Sequence, residues 1–294
     1  MDYNTHAGID LHIHSTASDG TFSPKQILDQ AQDLSLAAIA ITDHDTISGS
    51  KEALRIGPPP AVKFLTGVEI SANPPVSFPC SGSFHILGYG IDLDHPTLNQ
   101  MLEELQQARK NRNPQILQKL KELGMSLSMD EIIAEVGEGQ MGRPHIARVM
   151  ITRGYAGSIN EVFDKYLGKG KPAYVDKYRL ESNQAIELIS NAGGIPVLAH
   201  PGLVEPTTDL PFENLLKILK PMGLKGIEVY YPEHSPEFVD EYTAMADKYY
   251  LLMTGGTDFH GDLKPALKMG FGEGDFFVPY AVYEKLMEAS SRSC

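Results

Sequence analysis

The feature that most limits the fold of this chain is a rhythm of short apolar runs, most with a side chain able to bind a cation at one end. Runs at 9–14, 37–42, 62–68, 84–89, 195–200, 226–230 and 251–254 are rich in Ile, Val, Leu and Ala. Most are apolar throughout, as strands covered on both faces are. Helix-like segments at 24–34, 47–56, 182–192, 211–222 and 236–249 separate them. Ser23 followed by Pro24 is a helix start signal, a good N-cap with proline at the first helical position. Strand–helix alternation predicts right-handed βαβ units and an α/β fold.

The rhythm breaks between residues 98 and 177. Helical patterns follow one another there, at 98–123, 130–136, 144–153 and 159–167. Such a block is too long for a loop between two strands and predicts an inserted helical subdomain. Residues 1–97 and 178–294 then form the main domain.

The first run continues as "DLHIHSTASDG". Side chains alternate across a strand, so Asp10, His12 and His14 share one face, and Ile9, Leu11 and Ile13 the other. The apolar face reads as core. The polar face puts two imidazoles within reach of one cation. An H-x-H alone is a weak signal, because wet strand faces often carry paired histidines. The other runs decide the matter. "ITDHDTISG" places His44 just past the second run and "LTGVEIS" places Glu69 at the end of the third. "SFHILGYG" places His85 at the fourth, and "VLAHPG" places His200 at the fifth. "TGGTDFHG" adds Asp258 and His260 after the seventh. The run at 226–230 offers no such residue in this reading.

Singly, each of these residues is better read as a bonded core histidine or a solvated carboxylate. As an ordered set of nine (His12, His14, Asp19, His44, Glu69, His85, His200, Asp258 and His260) they point to metal. Nitrogen and oxygen ligands without cysteine suit Zn²⁺, Mn²⁺ or Fe²⁺. Nine ligands exceed what one ion uses, so two or three ions sharing a bridge are expected, with Glu69 as the bridging carboxylate.

Composition narrows the setting. A chain of 294 residues, 42% of them hydrophobic, has ample length for a buried core. No run approaches the roughly 20 apolar residues that span a bilayer. The first ten residues lack a basic and an apolar stretch, and Cys80 and Cys294 make no disulfide framework, so a reducing cytoplasm is expected. A net charge of −13 argues against a broad nucleic-acid footprint and long nucleic acid. It leaves a phosphorylated substrate open, since bound cations reverse the local field.

Taken in order, the motifs "DLHIHSTASDG", "ITDHDTISG", "GVEIS", "HILGYG", "AHPG" and "TDFHG" resemble the polymerase and histidinol phosphatase (PHP) superfamily of metal-dependent phosphoesterases. The resemblance implies a distorted (β/α)₇ barrel, in agreement with the seven runs. It also implies a trinuclear site: His12, His14, Glu69 and Asp258 on one ion, Glu69, His85 and His200 on a second, and Asp19, His44 and His260 on a third. No ligand position is substituted, so an active enzyme is expected. The inserted helices resemble the branch containing 3′,5′-nucleoside bisphosphate phosphatases and 5′→3′ exoribonucleases. "GRPH" and "GKP" elements of that branch stand here as Gly142–His145 and Gly170–Pro172.

Arg143 suits bidentate phosphate recognition and Lys171 a point charge. Their ordinary readings are a helix-start surface residue and a solvated loop lysine. His234, in "YYPEHSPE", is a candidate substrate contact or proton donor, or else a neighbour of the helix cap that follows. Asp258 is expected to serve the chemistry as well as an ion. His6 and His95 read as surface residues. The chemistry this predicts is attack of a metal-activated water on phosphorus, with a nucleotide or short oligonucleotide as substrate. The competing readings are a histidinol-phosphate-type phosphatase and an amidohydrolase acting on a C–N bond, whose barrels also begin with H-x-H.

Overall fold

Seven strands lie side by side in the computed structural model, which describes residues 8–136, 141–274 and 276–291. The described residues form ten strands in all: β1 (Ile9–Ile13), β2 (Ala38–Ile41), β3 (Lys63–Asn73), β4 (Cys80–Gly82), β5 (His85–Tyr89), β6 (Leu180–Glu181), β7 (Ile195–Leu198), β8 (Val204–Pro206), β9 (Gly226–Tyr230) and β10 (Leu252–Gly255). The main sheet runs β1-β2-β3-β5-β7-β9-β10, with β6 beside β3, while β4 and β8 pair apart from it. The segment after β10 bridges back to β1, where the His14 amide donates to the Phe259 carbonyl at 2.9 Å. The sheet thus curls into the distorted barrel that the seven apolar runs foreshadow.

Two differences from the expected pattern matter for the site. β5 is antiparallel to both β3 and β7, because the chain returns from β3 without a crossover helix. His85, the first residue of β5, therefore sits at the same end of the barrel as the last residues of its parallel neighbours. β3 also runs past Glu69 to Asn73, so Glu69 lies within a strand, paired opposite Leu87, and is held on both sides.

The barrel helices are α1 (Pro24–Asp33), α2 (Ser48–Ile56), α7 (Ser182–Asn191), α8 (Glu213–Leu219), α9 (Pro236–Lys248) and α10 (Tyr280–Ser291); α3 (Pro96–Glu122), α4 (Met129–Val136), α5 (Arg143–Thr152) and α6 (Ile159–Val162) lie between β5 and β6. α1 begins as its sequence predicts, with Ser23 capping Gln26 and Gln26 returning a bond to the cap. α6 continues into one π-helical turn, Phe163–Leu167. α10 was not foreseen; its Tyr280, Val282 and Leu286 close the core over Ile9, Leu11 and Tyr89.

α3 belongs to two cores. Leu98, Leu102 and Leu105 pack with Val68, Ile86 and Leu188 of the barrel, whereas Ile116, Leu117 and Leu120 pack with Ile146, Met150 and Leu167. We propose the block at 98–177 as an insertion with its own apolar centre, rooted in the barrel through the first turns of α3. His95 caps α3, its Nδ1 accepting from the Leu98 amide at 3.3 Å. His6 lies outside the described residues. Among the described residues no helix is long and apolar enough to cross a membrane.

Candidate metal centre

The fold brings all nine expected ligands to one end of the barrel. β1 supplies His12 and His14, both fully buried. The turn after it supplies Asp19 and is tied down by Asp43, which accepts from the Ser15 amide at 2.7 Å and the Ser18 hydroxyl at 2.6 Å. A Cβ at Gly20 would collide with the His14 carbonyl, so only glycine lets this turn close against the strand. Asp258 and His260 come from the segment that follows β10.

Glu69 lies at the centre, fully buried. Its Oε1 is 2.7 Å from His85 Nδ1 and 2.9 Å from His200 Nε2, and its Oε2 is 2.8 Å from His44 Nδ1 and 3.2 Å from His14 Nε2. Asp258 Oδ1 is 3.4 Å from His12 Nε2 and 3.1 Å from His14 Nε2. Asp19 Oδ1 is 3.4 Å from His260 Nε2. Three groups have ligand atoms all within 4.8 Å of one another: His12, His14, Glu69 and Asp258; His14, Asp19, His44 and His260; and His44, Glu69 and His85. The first is the expected set. The second gains His14, and in the third His44 stands where His200 was expected.

The donor set fits metal ions on an observation independent of any resemblance. His12 Nε2, His14 Nε2, Asp19 Oδ1, His44 Nδ1, Glu69 Oε2 and His200 Nδ1 are all buried, and none makes a well-aligned hydrogen bond, the short approaches given above being ion-pair contacts only. Buried polar atoms are nearly always satisfied, and six orphans in one place are what a cation would satisfy. Charge agrees. Burial opposes ionisation of Asp19, Glu69 and Asp258, but the surrounding imidazoles overcome it and hold all three carboxyls well below their usual range. Burial likewise opposes charge on His14, yet its approach to Asp258 and Glu69 pushes it up to about 10. Protons on imidazoles here occupy the places that divalent cations would take. Burial holds His85 down, to about 4, so it is a neutral donor.

A second layer orients these ligands. Glu228 on β9 is fully buried; its Oε1 lies 2.9 Å from His12 Nδ1 and its Oε2 accepts from the His200 amide at 2.7 Å. That leaves His12 Nε2 to face the centre, the arrangement by which a carboxylate fixes a ligating imidazole. Asp10 does the same for the backbone, accepting from the amides of His12, Thr257 and Gly270 and from the Thr257 hydroxyl. Burial pushes the Asp10 carboxyl up to about 6 despite these bonds. Asp45, His200 and Asp258 have φ of 53°, 25° and 54°, a left-handed backbone that non-glycine residues hold only where the surroundings impose it.

Beside the cluster opens a cavity of about 260 Å³ whose lining includes Asp19, His44 and His85 together with Arg109, Arg112, Arg143 and Lys177. Arg143 lies over the rings of Phe163 and Tyr174 and donates to the Leu167 carbonyl at 3.0 Å, which fixes its guanidinium plane. Arg109 and Lys177 reach Asp45 Oδ2 at 2.7 and 3.2 Å. Arg112 is 5% exposed and has no carboxylate partner among the described residues; its Nε has no hydrogen-bond partner.

Two expected substrate contacts fall elsewhere. Lys171 is exposed and does not line this cavity; Lys177 does. His234 has both ring nitrogens committed to backbone: Nδ1 donates to the Val229 carbonyl at 2.8 Å and Nε2 accepts from the Gly202 amide at 3.1 Å. It packs between Tyr231 and Tyr242 and holds one neutral tautomer, so neither nitrogen is available to a substrate.

Glu228, Arg109, Arg112 and Lys177 went unnoticed in the sequence. The one available signal was the pair of arginines three apart on a predicted helix, which share a face.

Residues 10–192 match the PHP domain. The chain is 34% identical over 255 residues to a 3′,5′-nucleoside bisphosphate phosphatase of Chromobacterium violaceum, covering 86% of this chain and 87% of the relative. It is 33% identical over 252 residues to a 5′-3′ exoribonuclease of Haemophilus influenzae, covering 85% and 89%. A crystal structure of a metal-dependent phosphoesterase from Bifidobacterium adolescentis superposes with a TM-score of 0.82 at 28% identity, covering 96% of each chain. With its match extending over more than half of its length, the chain belongs to the PHP domain family.

Proposed function

We propose that this metal-dependent phosphoesterase removes a phosphate from a small phosphorylated nucleotide, such as a nucleoside 3′,5′-bisphosphate, or trims the 5′ end of a short RNA. The observation that carries the reading is the cationic cavity. Arg109, Arg112, Arg143 and Lys177 are gathered on one wall in a chain of net charge −13. Asp45 offsets part of that charge and leaves Arg112 and Arg143 without a carboxylate partner among the described residues. A buried cation without a counter-charge is costly unless a ligand supplies one.

In this reading the four cations bind the phosphate that is not cleaved and turn the ester toward Glu69. The ligand sets drawn above are part of the proposal, with two or three Mn²⁺, Zn²⁺ or Fe²⁺ ions shared through Glu69. Divalent ions there supply an activated water and neutralise charge on the phosphoryl oxygens. Asp258 keeps a dual place, as ligand and as the carboxylate that Tyr231 steadies through its hydroxyl at 3.2 Å. A neutral amide would leave the cations unmatched, and histidinol phosphate would bring an ammonium group to them. Small substrates suit the cavity better than long nucleic acid, and a reducing compartment suits the two cysteines.

The test is activity of Mn²⁺-reconstituted protein on adenosine 3′,5′-bisphosphate and on a short 5′-phosphorylated RNA, with His12→Ala as control. Turnover of either, lost in the control, is expected. Metal-loaded protein that hydrolyses neither would overturn the reading.

A further inference from the structure

We propose that the cavity between α6 and the turn after β10 is the seat of the substrate's nucleobase; this rests on the nucleotide reading above and adds where the base goes. The cavity, also about 260 Å³, has Asp19 and His260 at its floor and Pro144, Ile159 and Leu263 as walls. It shares Asp19 and Pro144 with the cationic cavity, so the two adjoin at a ligand of the metal cluster. Two neighbours in sequence divide the work. Arg143 faces the phosphate side, and Pro144 forms part of both walls.

The chemistry of the two spaces differs. One is lined by four cations and suits phosphate oxygens. The other is walled by a proline ring and two aliphatic side chains, which suit the faces of a planar heterocycle and not a charged group. At its rim stands Asn160, exposed, its side-chain amide without a hydrogen-bond partner among the described residues. An amide both donates and accepts, as the edge of a base requires. Lys264 also borders the space, within 4.0 Å of Asp258 Oδ2.

A larger cavity of about 510 Å³ lies beyond Tyr231, lined by Glu233 and Glu273 against the single cation Lys264, a balance that disfavours the approach of a phosphorylated ligand. It shares neither Asp19 nor Pro144. The apolar cavity, by contrast, shares Asp19 and Pro144 with the cationic one. A ribose with its reacting phosphate near Asp19 then sends its second phosphate one way and its base the other.

The walls come from both parts of the molecule. Ile159 opens α6 in the inserted block, and Leu263 ends a 3₁₀ turn, Gly261–Leu263, beside His260. The insertion thereby supplies contacts for the phosphate and for the base. Docking of the insertion on the barrel would complete the substrate site.

The experiment compares adenosine 3′,5′-bisphosphate with a base-free deoxyribose 3,5-bisphosphate on the Mn²⁺-loaded protein. Calorimetry of adenosine 5′-monophosphate against ribose 5-phosphate gives a binding readout without turnover. The base-bearing ligand is expected to be favoured about tenfold or more in kcat/KM and in affinity. Ile159→Ser and Leu263→Ser, one on each wall, should each bring that ratio toward unity, and Asn160→Ala should reduce it less. Because the wild-type comparison needs no variant, misfolding of one variant leaves the result readable.

Equal use of the two esters by the wild-type protein overturns the seat and leaves the nucleotide reading standing. An equal fall on both esters in both wall variants also overturns it. Refusal of both esters overturns the nucleotide reading, and the seat with it.

Discussion

Glu228 of β9 and His12 of β1, the strands that flank β10, meet at 2.9 Å, both fully buried, and the other oxygen of the same carboxylate holds the His200 backbone at 2.7 Å. One side chain thus sets two members of the cluster without facing it. Its loss should act on metal retention before it acts on the fold. Glu228→Gln is expected to lower metal affinity about 10- to 100-fold, in line with other partners of ligating imidazoles. Metal content after dialysis against graded chelator measures this. Wild-type retention in Glu228→Gln would mean that the pair is structural only.

Arg112 presents a conflict between stability and binding that one substitution can expose. It is buried, its guanidinium is flanked by Arg109 and Arg143, and burial first and those neighbours next bring it down to about 10. Arg112→Met replaces an unmatched buried cation with a flexible apolar chain of similar length. We expect a gain of about 1–3 kcal/mol in thermal or denaturant stability together with a KM for the bisphosphate raised about tenfold or more. A destabilised variant with unchanged KM would show instead that Arg112 serves the fold.

How far the sequence could foretell this site depends on whether a residue's type or its surroundings carries the signal. His12, His14, His44, Glu69, His85, His200, Asp258 and His260 stand out because titratable side chains beside apolar runs are rare and their order is informative. Glu228 has the same placement within "GIEVY" but reads as one polar residue in a strand, since nothing local says that His12 lies across from it. Arg109 and Arg112 sit in a helix full of charge, and only the tertiary fold turns them inward. Lys177 falls in a segment without regular structure, so no periodicity marks it. His234 misleads for the opposite reason: its type suggests chemistry, while the Gly202 amide and the Val229 carbonyl claim both its nitrogens. The antiparallel course of β5 was hidden as well, because an apolar run has no direction.

Asp45 joins the two parts of the molecule. Arg109 comes from α3 and Lys177 from the far end of the inserted block, and both converge on one buried carboxylate, which also accepts from the Ser71 amide at 2.9 Å. Burial would raise its pKa, but Lys177 and Arg109 outweigh that and hold it well below the usual carboxylate range. A depressed carboxyl contributes stability that is present above its unfolded value of 3.8 and is lost as pH falls below it. Asp45→Asn should therefore cost about 2–4 kcal/mol near neutral pH, by leaving two buried cations unmatched. The difference from wild type should shrink in acid. Denaturant melts at neutral pH and near pH 3 test this, and a pH-independent difference would assign the loss to packing.

Lys177 gives the cationic wall a pH limit. Burial lowers its ammonium group, against the pull of Asp45, to about 7, from an ordinary 10.5. The charge is therefore present below about 7 and is withdrawn as pH rises through that value. A phosphate in the cavity favours the charged form, so affinity should weaken on the alkaline side and KM for the bisphosphate should rise there. Lys177→Arg keeps its charge throughout and should flatten that rise. Stability moves the other way in the wild type. Between about 7 and 10.5 the folded chain binds fewer protons at this site than the unfolded chain, so this group's contribution to stability grows with pH across that window. Parallel KM and denaturation profiles of the two proteins separate these effects. If KM rises equally in both, the step belongs to another group and Lys177 is not the phosphate contact proposed.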